Sequence, residues 1–256
     1  MTPLAAVVLG ILQGVAEWIP VSSEAVLVLA MTWLGHDPGT AVAAAVWLHT
    51  GTMLAALLYF RDEFMALAAE VPRRKASPLL AFLVLATLVT GGIGGAVYVL
   101  GVERLVQHPD LFAGATGALL LVTGLLHLRG RGADRGAADA DLGDAAVAGG
   151  LQGLAILPGV SRSGVTVFGL LHRDFDGEAA FRLSFLMSVP AIFAANVGLE
   201  VLGRGVALSP EMLLAGGVAF ITGYAAIDVV LRVARRTGVA YLCFGLAVLA
   251  LAPVLL

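Results

Sequence analysis

A chain of 256 residues with 59% hydrophobic and only 13% charged side chains carries about half the charge of an ordinary soluble domain, so much of its surface must face something other than water. A formal net charge of −3 without a basic tail argues against nucleic-acid binding, and the single Cys243, set in an apolar run, excludes a disulfide framework. The N-terminus has no Lys or Arg ahead of its apolar run, and Glu17 interrupts that run, a pattern unlike a signal peptide.

From the N-terminus, 4–19 and 25–34 are apolar but too short to span a bilayer, and they are separated by Pro20-Val21-Ser22-Ser23. Three stretches of about the length a spanning helix needs follow, at 40–60, 78–100 and 111–128. After a polar stretch the pattern repeats. Short runs at 145–157 and 165–171 flank Pro158-Gly159-Val160-Ser161-Arg162-Ser163, and long ones lie at 179–202, 212–231 and 239–256. Short apolar pairs with an irregular break suggest re-entrant hairpins, whose tips must be buried in protein or line a wet cavity.

The two breaks resemble each other: Leu12-Gln13-Gly14-Val15-Ala16 precedes the first, Leu151-Gln152-Gly153-Leu154-Ala155 the second. The expected fold is therefore an all-α integral membrane protein of six spanning helices and two re-entrant helical hairpins in one domain, 1–256. A hairpin returns to its starting side and three spans cross an odd number of times, so the second repeat (145–256) is inverted relative to the first (1–128), and 129–144 joins them. Inverted repeats joined at broken helices place a site near the bilayer midplane. This topology puts Arg61, Arg73, Arg74, Lys75, Arg129, Arg131, Arg135, Arg173, Arg232, Arg235 and Arg236 on one side, leaving Arg104 and Arg204 on the other. The first side is then cytoplasmic, the 129–144 loop with it, and the termini and the site entrance are external, in a prokaryotic plasma membrane.

Charge at the breaks marks the site. Glu17 precedes Pro20, and Gln13 lies one helical turn earlier on the same face. A carboxylate at membrane depth costs several kcal/mol and is functional by default. Glu24 follows Ser22 and Ser23, where it serves either the site or the first turn of a capped helix. Arg162 lies between Ser161 and Ser163 with Gly159 and Gly164 near. Glycines let backbone N–H groups approach an anion, the following helix aims its positive end at the same point, and the guanidinium fork suits phosphate oxygens. A structural pairing of Arg162 with Glu17 is compatible with such an anion trap. His49 either faces the site or is a core histidine bonded to a carbonyl. Asp228 and Arg232, four apart, suit a structural ion pair, Arg182 suits a snorkelling position near a helix start, and Gly91-Gly92-Ile93-Gly94-Gly95 suits close helix packing.

Gln13-Gly14-Val15-Ala16-Glu17-Trp18-Ile19-Pro20-Val21-Ser22-Ser23 and Pro158-Gly159-Val160-Ser161-Arg162-Ser163-Gly164-Val165-Thr166 together resemble the undecaprenyl-diphosphatase family, the bacitracin-resistance phosphatases. The blocks Leu48-His49-Thr50-Gly51-Thr52 and Ser184-Phe185-Leu186-Met187-Ser188-Val189-Pro190 look like two further family blocks. The resemblance implies hydrolysis of a polyprenyl diphosphate, undecaprenyl or dolichyl, to the monophosphate carrier lipid. It puts Gln13 and Glu17 at acidic-motif places linked to a divalent metal, Mg²⁺ or Ca²⁺. Ser23 takes the place of a proposed nucleophile or phosphate ligand. Arg162 takes the phosphate-binding arginine's place, flanked by Ser161, Ser163 and Thr166. One departure stands out: many members have a histidine where this chain has Val26, so Glu24 or His49 replaces its proposed role as base, or the role was never essential, or this member is altered.

The expected catalytic set is thus Glu17, Ser23, Glu24 and Arg162. Ser22, His49, Ser161, Ser163, Gly164 and Thr166 are expected to bind substrate, and Glu17 with Gln13 to hold the metal. The attacking group is Ser23 or a water. The expected partners are the polyprenyl diphosphate lipid and the membrane, with a homodimer compatible with this reading. The rival reading is a transporter or flippase that carries a lipid phosphate or other anion through the same midplane site without chemistry.

Overall fold

The computed structural model describes residues 1–20, 22–73, 76–102, 134–157, 159–203 and 208–236. The expected spans at 111–128 and 239–256 lie outside the described residues, as do Val21, Arg74, Lys75, Arg104, Arg129, Arg131, Pro158, Arg204 and Cys243. Among the described residues the fold is all-helical, apart from one isolated β-bridge between Arg135 and Phe175.

Polar caps set the helix starts. Thr2, Asp37, Ser77 and Asp176 accept backbone N–H groups at the heads of α1 (Pro3–Ala16), α3 (Pro38–Tyr59), α5 (Pro78–Val97) and α8 (Gly177–Val201). At the first three, Pro follows the cap, where its missing N–H is no loss and its φ already suits a helix. α9 (Pro210–Arg236) begins the same way, with the Met212 N–H donating to Ser209. Among the described residues, four helices are long and apolar enough to cross a membrane: α3, α5 with its extension, α8 and α9. The 22 residues of α3 span about 33 Å, a hydrocarbon core's thickness.

The remaining helices are shorter. α2 (Ser23–Trp33) follows α1 across the first break. α6 (Leu142–Leu154) and α7 (Arg162–His172) flank the second. α4 (Arg61–Glu70), a polar helix between two long ones, has no counterpart in the apolar pattern of the sequence. α5 ends in a π-helical turn, Tyr98–Val102. Pro190 stands inside α8 and divides it. Before Pro190 nearly every side chain from Ala179 to Ser188 is buried, whereas beyond it only Ile192 and Leu199 are.

Glycine placement explains how the short helices dock. α1 lies on α9, where a Cβ at Gly10 would meet the Ala215 carbonyl at 2.5 Å and one at Gly14 would meet Thr222 Oγ1 at 1.9 Å. α6 lies on α5 in the same manner, where a Cβ at Gly149 would meet the Ala86 carbonyl at 2.6 Å and one at Gly153 would meet the Ile93 side chain at 2.8 Å. α3 packs between α8 and α9.

Away from the tips, the base of the second hairpin is tied by charge. Asp144 is fully buried and capped to Asp141; it receives Arg135 Nη2 at 2.7 Å and Arg173 Nε at 2.6 Å. The Arg135 guanidinium also lies 4.3 Å from the Phe175 ring centroid. Burial pushes the Asp144 carboxyl up, but hydrogen bonds from Arg135, the Asp141 backbone and Arg173 outweigh it and hold the pKa below its ordinary value. Elsewhere Arg182 pairs with Glu63 and lies over Phe60, and Arg232 pairs with Asp228.

Candidate active site

The two breaks meet. The Gly159 N–H donates to Ser22 Oγ at 3.2 Å, and Ser163 Oγ donates to the Ile19 carbonyl at 2.7 Å. Gly159 has φ +101°, which only glycine adopts without strain, so the second tip turns tightly enough to start α7 beside the first. Ser22 and Ser161 cap α2 and α7, accepting the N–H groups of Ala25 and Gly164. Both helices thus begin at the meeting point.

Glu17 is the hub. It is 4% exposed and sits just past the end of α1. Its Oε1 pairs with Arg162 Nη2. Its Oε2 accepts Gln13 Nε2 at 3.0 Å and Ser23 Oγ at 2.9 Å, and lies 3.1 Å from His49 Nε2. Arg162 Nη1 donates to the Ser184 carbonyl of α8 at 3.0 Å, so the guanidinium bridges the first hairpin and the first long helix of the second half. Breaking such a buried pair by removing one partner costs about 3–5 kcal/mol.

His49 is the fourth member. Its Nδ1 is 2.6 Å from the Ala45 carbonyl, an acceptor only, so Nδ1 carries a proton, while Nε2 faces Glu17 Oε2 and the cavity. Nε2 lies 3.3 Å from Ser23 Oγ. The Ser23 hydroxyl thus donates to the Glu17 carboxylate with an anchored imidazole beside it, two groups that can take a nucleophile's proton. The Val26 position is therefore not the only route to an imidazole: α3 supplies one from another element.

Glu17, Ser22, Ser23, Glu24, His49, Arg162 and Ser163 line one cavity of about 340 Å³. Ser161, Gly164 and Thr166 lie behind it and support the first turn of α7. Ser161 caps it through the Gly164 N–H, and Thr166 Oγ1 bonds the Arg162 carbonyl at 2.8 Å and Ser184 Oγ at 2.7 Å. Gln13 is fully buried behind Glu17, outside the cavity wall, with its N–H groups directed to Glu17 and to Thr52 and its amide oxygen lacking a protein partner among the described residues. An orphan oxygen beside a carboxylate fits one edge of a cation shell. Among the described residues no group of three His, Cys, Asp or Glu forms a complete one.

Gln152 does line the cavity, and sequence reasoning gave it no role. Its amide donates to Thr90 Oγ1 and the Met187 carbonyl, and its oxygen, like that of Gln13, is buried without a partner among the described residues. The only signal for it was its match to Gln13 in the repeated Leu-Gln-Gly.

Residues 6–253 match the family model described as Bacitracin resistance protein BacA. The chain is 36% identical over 253 residues to an undecaprenyl-diphosphatase of Methanococcoides burtonii, covering 95% of each chain. It is 41% identical over 244 residues to one of Haloarcula marismortui, covering 91% of this chain and 90% of that one. It is 38% identical over 252 residues to one of Syntrophotalea carbinolica, covering 92% of each.

Proposed function

The chain belongs to the BacA family of bacitracin resistance proteins, and from that premise we propose that it is a multi-pass membrane enzyme that hydrolyses undecaprenyl diphosphate, or a closely similar polyprenyl diphosphate, to the monophosphate and inorganic phosphate, recycling the carrier lipid for envelope glycan synthesis. The observation that carries the proposal is the convergence of Glu17, Ser23, His49 and Arg162, from four separate segments, on one cavity.

Arg162 and the starts of α2 and α7 hold the terminal phosphate and stabilise the charge spread over its oxygens, the main protein contribution in phosphoryl transfer. Ser23 Oγ, or a water at the same place, attacks phosphorus. Glu17 Oε2, which already accepts the Ser23 hydroxyl, or His49 Nε2 beside it takes the nucleophile's proton, the bond from phosphorus to the bridging oxygen breaks, and the prenyl monophosphate leaves. If Ser23 is the nucleophile, a water then releases phosphate from it. Glu24 stands in the same wall as a second proton acceptor. Glu17 and the orphan oxygen of Gln13 would hold Mg²⁺ or Ca²⁺ together with diphosphate oxygens, since the protein alone offers an incomplete shell; when bound, the cation supplies neutralising charge on the phosphates.

The finer architecture belongs to the same proposal. Two re-entrant hairpins, α1–α2 and α6–α7, belong to inverted repeats (1–128 and 145–256) within one domain of six spans, with the termini and the site entrance on the external side. Support comes from the docking pattern. Gly10 and Gly14 of α1 correspond to Gly149 and Gly153 of α6, and each pair beds against the second long helix of the other half.

Phosphate release from undecaprenyl or farnesyl diphosphate by detergent-purified protein, with and without chelator, tests the reading. Release that needs a divalent cation is expected. No release under any metal condition would leave the transporter reading, because detergent removes the membrane a transporter must cross.

A further inference from the structure

The cavity extends well beyond the phosphate-binding residues. From Glu17 and Arg162 it continues between α5 and the half of α8 beyond Pro190, where Gly91, Gly95 and Tyr98 face Ala194, Ala195 and Gly198. Three features keep this slot open. Pro190 lacks the N–H that would bond the preceding turn, a common cause of helix bending, and the burial of α8 changes at that point. α5 ends in the π-helical turn that carries Tyr98, a deformation frequent at functional sites. Third, a Cβ built on Gly91, Gly95 or Gly198 meets nothing within 4 Å among the described residues.

The glycine run of α5 thus has two uses. Gly94 faces Gly153 of α6 at 3.5 Å, ordinary close contact, whereas Gly91 and Gly95 have no neighbour within 4 Å among the described residues and line the cavity. Close packing, expected for the whole run, is seen at Gly94 among the described residues. Between α5 and α8 the described residues leave a gap that helices needing only to touch would close, because an unfilled apolar space forfeits dispersion contacts along its length.

Resting on the phosphatase reading above, we infer that this slot receives the first isoprene units of the substrate chain, and that Gly91, Gly95 and Gly198 set its width and with it the enzyme's preference for a prenyl over a short or head-only diphosphate. The occupant follows from continuity. The wall that begins with Arg162 and Ser23 becomes apolar along the α5–α8 gap, and a lipid diphosphate is a charged head joined directly to an apolar chain.

The test compares Gly95→Leu, Gly198→Leu and Gly92→Leu. Gly92 is on the same helix and also has nothing within 4 Å among the described residues, but it is not part of the cavity wall, so it controls for a leucine placed on α5 outside the slot. The slot variants should lose about tenfold or more in kcat/KM on farnesyl diphosphate, the scale on which apolar pockets discriminate. Their activity on a head-only diphosphate such as methyl diphosphate should stay close to that of the unsubstituted protein, and Gly92→Leu should match it on both. Equal loss on both substrates, no loss on farnesyl diphosphate, or a Gly92→Leu defect as large as the others would overturn the slot. A farnesyl diphosphate analogue carrying a photoreactive group on its first isoprene unit gives a readout independent of turnover. It should label the α5 segment from Gly91 to Val99 in the unsubstituted protein, and Gly95→Leu should abolish that labelling. Labelling without hydrolysis would sink the phosphatase reading and keep the slot; hydrolysis without labelling there would do the reverse.

Discussion

Arg162 makes two contacts that a lysine could not make together: one nitrogen to Glu17, another to the Ser184 carbonyl. A point charge lacks the planar fork. Arg162→Lys should therefore be nearly as damaging as Arg162→Ala, with about 10²–10³-fold lower kcat in each, the scale for losing a preorganised oxyanion donor. Steady-state kinetics on a short prenyl diphosphate, with monodispersity checked, measure it; near-normal turnover in the lysine variant would reduce the arginine to a counter-ion. His49→Gln should lower kcat about 10²-fold, the usual contribution of a positioned base, and remove one ionisation from the pH–rate profile. Val26→Ala should change neither, since its position supplies no base. The meeting of Glu17 and Arg162 was legible in the sequence, because each is a charge beside one of two matching breaks in an apolar chain. The approach of His49 to Ser23 was not, because it depends on the rotation of α3 against α2, which only tertiary packing sets.

At the scale of elements, composition was a good guide to the four long helices and a poor one to what lies between. Apolar runs located α3, α5, α8 and α9, yet each begins at or just after a polar cap and ahead of the apolar run or at its edge. α4 was missed because its sequence, Arg61-Asp62-Glu63-Phe64-Met65, lacks an apolar run. The Asp144 tie was missed too. Arg135 and Arg173 were read only for the side of the membrane they mark, while Asp144 carried no motif. Removing that carboxylate in Asp144→Ala should destabilise by about 3 kcal/mol, because two guanidinium groups lose a buried partner. A carboxyl whose pKa is depressed on folding contributes stability that is complete above the ordinary carboxylate pKa and fades as pH falls through the depressed one. The melting temperature of the unsubstituted protein should therefore drop in acid more steeply than that of Asp144→Asn. Parallel curves would remove Asp144 from the acid response. Gly149→Leu should loosen the α5–α6 contact and cost about 1–3 kcal/mol, as overpacked sites do, a loss visible in thermal unfolding.

For the molecule as a whole, the swapped bedding of α1 on α9 and of α6 on α5 makes each half the missing wall of the other. Neither half buries its own glycine face. A chain cut between Leu128 and Asp134 should yield fragments that are inactive and aggregate when made singly. Made together, they should recover prenyl-diphosphatase activity and copurify. An active, monodisperse N-terminal fragment would mean that the halves fold independently.

The Glu17–Arg162 pair has one more consequence, for the end of the catalytic cycle. Between turnovers the guanidinium already holds an anion, the protein's own. On the proposed mechanism an arriving phosphate displaces a tethered rival, and once the bond is broken that rival reclaims its place and helps expel the inorganic product. Free phosphate should therefore be a feeble inhibitor of this enzyme, and an effective blocker must bring enough apolar chain to outcompete a carboxylate that never diffuses away.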